Sequence, residues 1–170
     1  ASYRSLGFMA SAQRFDIKIQ GKQTHGARPW AGVDPIVVGA QIVNALQTIV
    51  SRQIDITQHP AVVTVGSFAA GVRNNIVPET ATLTGTIRTF DAAVRRSIHE
   101  KIRSIAQQTA TAMGAVATVE IDPGVPVTFN DAALTKQMVP TLERVYGEGA
   151  VFESPRVTGA EDFSFYQEQV

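Results

Sequence analysis

Arg14-Phe15-Asp16-Ile17-Lys18-Ile19-Gln20-Gly21-Lys22-Gln23-Thr24-His25-Gly26-Ala27-Arg28-Pro29-Trp30-Ala31-Gly32-Val33-Asp34-Pro35 is the stretch that decides the fold. Its first residues alternate, with Phe15, Ile17 and Ile19 set against Asp16, Lys18 and Gln20. A period of two is that of a half-buried strand. Its last residues start a helix: Asp34 offers an N-cap, and Pro35 fits the first turn, where a missing N–H costs nothing. Between them a glycine-punctuated loop carries His25.

Outward from that stretch the same two periods recur. A first helix from about Asp34 to Arg52 places Ile36, Ala40, Val43, Leu46 and Val50 at three- and four-residue intervals, which predicts its buried face. A polar link through His59-Pro60 leads to a second strand, Ala61 to Phe68, and residues 69–78 read as a connection with turn chemistry. A third strand, Ala81 to Phe90, puts Leu83, Gly85 and Ile87 on one face and Thr82, Thr84, Thr86 and Arg88 on the other. Asp91 then caps a second helix with an apolar stripe of Val94, Ile98, Ile102, Ile105, Ala106 and Met113, and Gly114 is placed to end it. A fourth strand covers Ala115 to Ile121. The order β-α-β-β-α-β predicts an α+β, ferredoxin-like unit over residues 14–122: a four-stranded antiparallel sheet with both helices on one face.

The flanks read differently. Residues 1–13 show no clear period and are expected to be a connector. After Pro123 the composition changes, and Asp131 caps a third helix to about Tyr146, with Leu134, Met138, Leu142 and Val145 on one side. Pro140 inside it is expected to kink or shorten it. Residues 123–170 have no place in the ferredoxin-like unit and are expected to start a second domain. The chain opens on Ala1 and stops at Val170 just after a helix begins near Phe163, so both ends read as those of a fragment.

Composition narrows the class. With 44% hydrophobic and 18% charged residues, the chain is globular rather than disordered. Fifteen basic and fifteen acidic residues cancel, which gives no electrostatic footing for nucleic acid or a membrane surface. No apolar run approaches the roughly 18 residues of a membrane span, and no basic n-region with an apolar h-region opens the chain. The absence of thiols leaves the compartment open; a cytoplasmic setting is expected. The absence of cysteine excludes disulfides and thiolate metal sites.

Among the three histidines there is no HExxH pair, and neither a G-x-S-x-G nucleophile turn nor a phosphate-cradling G-x-x-x-x-G-K-[ST] loop occurs. His59 and His99 read as linker and helix-surface residues. His25 on its loop, Asn75 before the stiff Ile76-Val77-Pro78 and Arg88 on the polar strand face are groups that gather around an anion. Together they donate several directed hydrogen bonds to a carboxylate or developing oxyanion.

Five motifs stand in order: Gly21 to Pro29, Gly32-Val33-Asp34-Pro35, Asn75-Ile76-Val77-Pro78, Gly85 to Phe90, and Gly159-Ala160-Glu161-Asp162-Phe163. In this the chain resembles the carboxypeptidase/aminoacylase family of metal-dependent amidohydrolases, in the branch of hippurate hydrolases, N-acyl-amino-acid deacylases and auxin-conjugate hydrolases. The resemblance implies that residues 14–122 are the lid or dimerisation domain, with pieces of an α/β catalytic domain at residues 1–13 and 123–170. It implies a homodimer through the lid, a divalent metal pair (zinc, manganese or nickel) in the full-length parent, and a small N-acyl amino acid or peptide substrate. His25 would meet the scissile carbonyl oxygen in the partner subunit's site, Asn75 would be delivered with it, and Arg88 would hold the substrate carboxylate. Gly159 and Ala160 would line the substrate, and Glu161 would not be a metal ligand. The family's metal-binding motifs and paired-glutamate base are absent from this stretch, so no metal is expected on these residues and no independent catalysis. A non-catalytic, homodimeric ferredoxin-like sensor is the competing reading, with Arg88 binding an effector. An RRM-like RNA binder lacks the aromatic stacking set.

Overall fold

A computed structural model describes residues 1–169. In chain order the strands and helices are β1 (Ser2–Tyr3), β2 (Leu6–Met9), β3 (Ser11–Gln20), β4 (Thr24–His25), α1 (Pro35–Gln53), β5 (Ala61–Ala70), β6 (Ile76–Val77), β7 (Thr80–Thr89), α2 (Ala92–Ala112), β8 (Val116–Ile121), β9 (Thr128–Asn130), α3 (Ala132–Tyr146), β10 (Phe152–Glu153) and α4 (Ser164–Gln167). The alternation in β3 does what its period requires, burying Phe15, Ile17 and Ile19 completely. Four strands form one sheet in the order β5-β7-β3-β8, with every pair antiparallel. That is the ferredoxin-like arrangement expected for β-α-β-β-α-β.

Both long helices pack on the apolar face. Val38, Ile42, Leu46 and Ile49 of α1 and Ile98, Ile102, Ala106 and Ala110 of α2 join the sheet's Phe15, Ile17, Ile19, Leu83 and Ile87 in one core. Asp34 caps α1 by accepting from the N–H of Ile36 at 2.8 Å, and Asp91 caps α2 by accepting from those of Ala93 and Val94 at 2.8 Å each. Each such cap contributes about 1 kcal/mol. Helix α2 ends in a Schellman turn: Ala115 N–H donates to the Ala110 carbonyl at 2.8 Å, Gly114 N–H to that of Thr111 at 3.1 Å, and Gly114 sits at φ +78°.

Three local expectations are corrected. Ile36 is 41% exposed and Ala40 is also outside, so the buried stripe of α1 is turned away from the predicted one. The helix is apolar on more than one side, and spacing alone then leaves its phase undetermined. Residues 1–13 are not a connector: β3 begins at Ser11, β2 pairs antiparallel with β9, and β1 pairs parallel with β10. These are strands of two to four residues, too short to show a period. Finally, α3 continues through Pro140 to Tyr146 and is not shortened. It buries none of its residues: Leu134, Met138 and Val145 are exposed, and the first two face a groove of about 650 Å³ shared with Tyr3, Phe8 and Phe129.

Candidate functional site

His25 owes its position to a two-residue ladder. Strand β4 pairs with β6, setting Thr24 against Val77 and His25 against Ile76. One residue on, Gly26 N–H donates to the Asn75 carbonyl at 2.8 Å. His25 and Asn75 are therefore neighbours, and both are exposed. The loop between them and α1 closes on itself, with Lys22 and Val33 exchanging backbone hydrogen bonds of 2.9 and 3.0 Å. Residues 69–78 gave no hint of this ladder, because two paired residues carry no period.

Arg88 is elsewhere. On β7 it stands opposite Ala12 of β3, whereas Thr80, at the end of β7 nearest β6, stands opposite Gln20. At about 3.3 Å per residue, roughly 26 Å of strand separates the two ends. Arg88 is half-buried on the sheet's polar face and takes part in none of the three salt bridges among the described residues. Its neighbour Arg14 is committed to Asp16 through two hydrogen bonds of 2.8 and 2.7 Å.

Gly159 and Ala160 fall at the Arg88 end. Ala10 N–H donates to the Val157 carbonyl and Val157 N–H to that of Phe8, both at 3.1 Å, which docks the segment beside β2 just ahead of β3. The fold thus sorts the candidate residues into two clusters: His25 with Asn75, and Arg88 with Gly159 and Ala160. Among the described residues no group of three or more His, Asp or Glu side chains is arranged to hold a metal ion, so the residues present do not fit the metal pair implied by the resemblance. Among the described residues no helix is long and apolar enough to cross a membrane.

The two remaining histidines have structural surroundings. His59 Nδ1 lies 3.9 Å from Asp91, whose carboxyl is held below its ordinary range first by the Val94 N–H, with that of Ala93 and the charges of His59 and Arg96 adding to it. His99 on α2 is held below the ordinary imidazole range first by burial, then by Arg103 and Arg95.

One surface feature was readable in the sequence and missed. No charged residue occurs from Pro35 to Ser51 or from Ala61 to Val72. These stretches make α1 and the edge strand β5, where Val37 is 47% and Phe68 39% exposed. An uncharged, partly apolar helix face beside a long open sheet edge is a surface suited to another protein chain.

The peptidase dimerisation domain profile matches residues 11–113. The chain belongs to that family. It is 35% identical over 162 residues to the N-acetyl-L-cysteine deacetylase of Bacillus subtilis, covering 95% of this chain and 38% of the relative. To thermostable carboxypeptidase 2 of Saccharolobus solfataricus it is 36% identical over 157 residues, covering 92% of this chain and 39% of the relative. A solved Bacillus subtilis structure, described as a dinuclear metal-binding peptidase of the M20 family, superposes with a TM-score of 0.79 at 29% identity. That match covers 99% of this chain and 41% of the solved one. The dimerisation domain chain thus spans about two fifths of the length of such relatives.

Proposed function

We propose that this chain is the lid and dimerisation part of a metal-dependent amidohydrolase or peptidase that cleaves the amide bond of N-acyl amino acids or related amides, acting as a cytoplasmic homodimer. In this reading residues 14–122 are the lid, and residues 1–13 and 123–170 are pieces of the catalytic domain. The uncovered apolar side of α3 fits that assignment, since it offers a surface for the rest of such a domain. The metal pair would be held by residues of the parent beyond this chain. What this chain supplies is hydrogen bonding. His25 donates to the carbonyl oxygen as it gains charge, Asn75 lies beside it, and Arg88 takes the substrate carboxylate.

The observation that carries the reading is the separation of the clusters. Arg88 with Gly159 and Ala160 stands toward one end of the sheet and His25 with Asn75 toward the other, with roughly 26 Å of β7 between Thr80 and Arg88. One small substrate can use both only if they come from different subunits. A two-fold dimer through α1 and β5 would supply the second subunit.

Subunit mixing in the full-length parent tests this. His25→Ala and Arg88→Ala dimers should each lose roughly 10²–10³ in rate. After exchange, half the dimers are hybrids and one of the two sites in each hybrid is intact, so activity should return to about a quarter of wild type. Mixing His25→Ala with Asn75→Ala should restore nothing, since one subunit donates both groups. Recovery in that second mixture, or none in the first despite verified exchange, overturns the arrangement.

A further inference from the structure

We propose that the loop following His25 selects the ring nitrogen this histidine presents: the backbone N–H of Ala27 occupies Nδ1, so the proton resides on Nε2, which is left as the donating nitrogen. A neutral imidazole has one donating and one accepting nitrogen, and the bond made by one decides the role of the other. Ala27 N–H donates to Nδ1 at 3.0 Å. A proton on Nδ1 would set two N–H groups against each other at that distance.

The surrounding bonds leave the loop little freedom to relieve such a clash. Gly26 N–H is held by the Asn75 carbonyl at 2.8 Å, Arg28 N–H by the His25 carbonyl at 2.7 Å, and the Arg28 carbonyl by Thr24 Oγ1 at 3.1 Å. A Cβ at Gly26 would stand 3.1 Å from the Asn75 carbonyl oxygen, tight enough to press on the backbone just ahead of β6. Among the described residues no carboxylate forms an ion pair with His25, unlike His59, whose Nδ1 lies 3.9 Å from Asp91. An acidic partner there would call for the opposite tautomer. Ala27 is thus a positioning residue through its main chain, and its methyl group is incidental. The catalytic meaning of the tautomer rests on the proposed role of His25, but the tautomer itself does not.

The test is made on this chain, labelled with 15N in its histidines, by long-range proton–nitrogen correlation at about pH 9, above the ordinary imidazole range. His25 should show a protonated Nε2 and an accepting Nδ1, with the tautomer ratio displaced about fivefold toward Nε2–H relative to the urea-unfolded chain, the weight of one net hydrogen bond. Ala27→Pro, which has no N–H, should return the ratio to its unfolded value. Replacing the Ala27 amide by an ester removes the same donor with less disturbance, and should do likewise if the proline distorts β4 and β6. Protonation at Nδ1, an undisplaced ratio in the folded wild type, or a ratio indifferent to the ester overturns the proposal. The mixing experiment is separate: a parent indifferent to His25→Ala would end the catalytic reading, and the nitrogen shifts alone decide the tautomer.

Discussion

Phe15 and Gly85 face each other across β3 and β7, and the ring covers the space a side chain at position 85 would take. A Cβ there would collide with the Phe15 ring and with the Thr64 carbonyl oxygen, which is backbone and cannot turn away. Gly85→Ala should therefore destabilise the chain by about 1–3 kcal/mol or more, the usual range for overpacking. Gly66 is the control. It lies at the register shift of β5, and a Cβ there would meet nothing nearer than the Thr84 oxygen at 4.0 Å, so Gly66→Ala should be close to neutral. Urea midpoints of the two variants check this. At the same scale His99 makes stability depend on pH. Folding lowers its affinity for a proton from the ordinary 6.5. As pH falls through 6.5, the unfolded chain takes up a proton before the folded one does, and stability declines. Comparing urea midpoints at about pH 8 and about pH 5.5 should show a fall in wild type that is smaller in His99→Gln.

Helix α1 shows how an element can be correctly placed and wrongly turned. Its caps and length follow from Asp34, Pro35 and the apolar repeat, yet Ile36 and Ala40 lie outside while Val38, Ile42 and Ile49 are buried. A helix apolar on two sides can bury either; the sheet takes one. The other side, with β5, forms the charge-free surface assigned here to the dimer. Natural sheet edges are guarded by charge, proline or short length. The opposite edge, β8, is six residues long and carries Glu120, whereas β5 is ten residues long and carries no charge. Ala40→Arg on α1 and Ala69→Lys in β5 should each weaken association at least about tenfold, because a two-fold axis brings the new charge near its own copy. Glu100→Lys on the exposed side of α2 should leave association unchanged. Sedimentation across a concentration series distinguishes these outcomes.

At the scale of the whole molecule, two long-range arrangements matter most: the pairing of the chain's two ends and the separation of its candidate groups. Residues near the start pair with residues far along the chain, β1 with β10 and β2 with β9, and this brings Gly159 and Ala160 to the end of the sheet that holds Arg88. Local sequence was enough to place the elements of the ferredoxin-like unit, their order and the aspartates that cap its helices. Those depend on backbone propensity, side-chain period and a few neighbouring residues, all of them local. It left open which side of α1 is buried, whether residues 1–13 form strands, and how far Arg88 is from His25. Each of these depends on contacts between residues distant in the chain, and strands of two residues carry too little pattern to announce their partners. Folding settles them, because burial phase and strand pairing follow from which surfaces fit together, and register along β7 then sets the distance between its two ends.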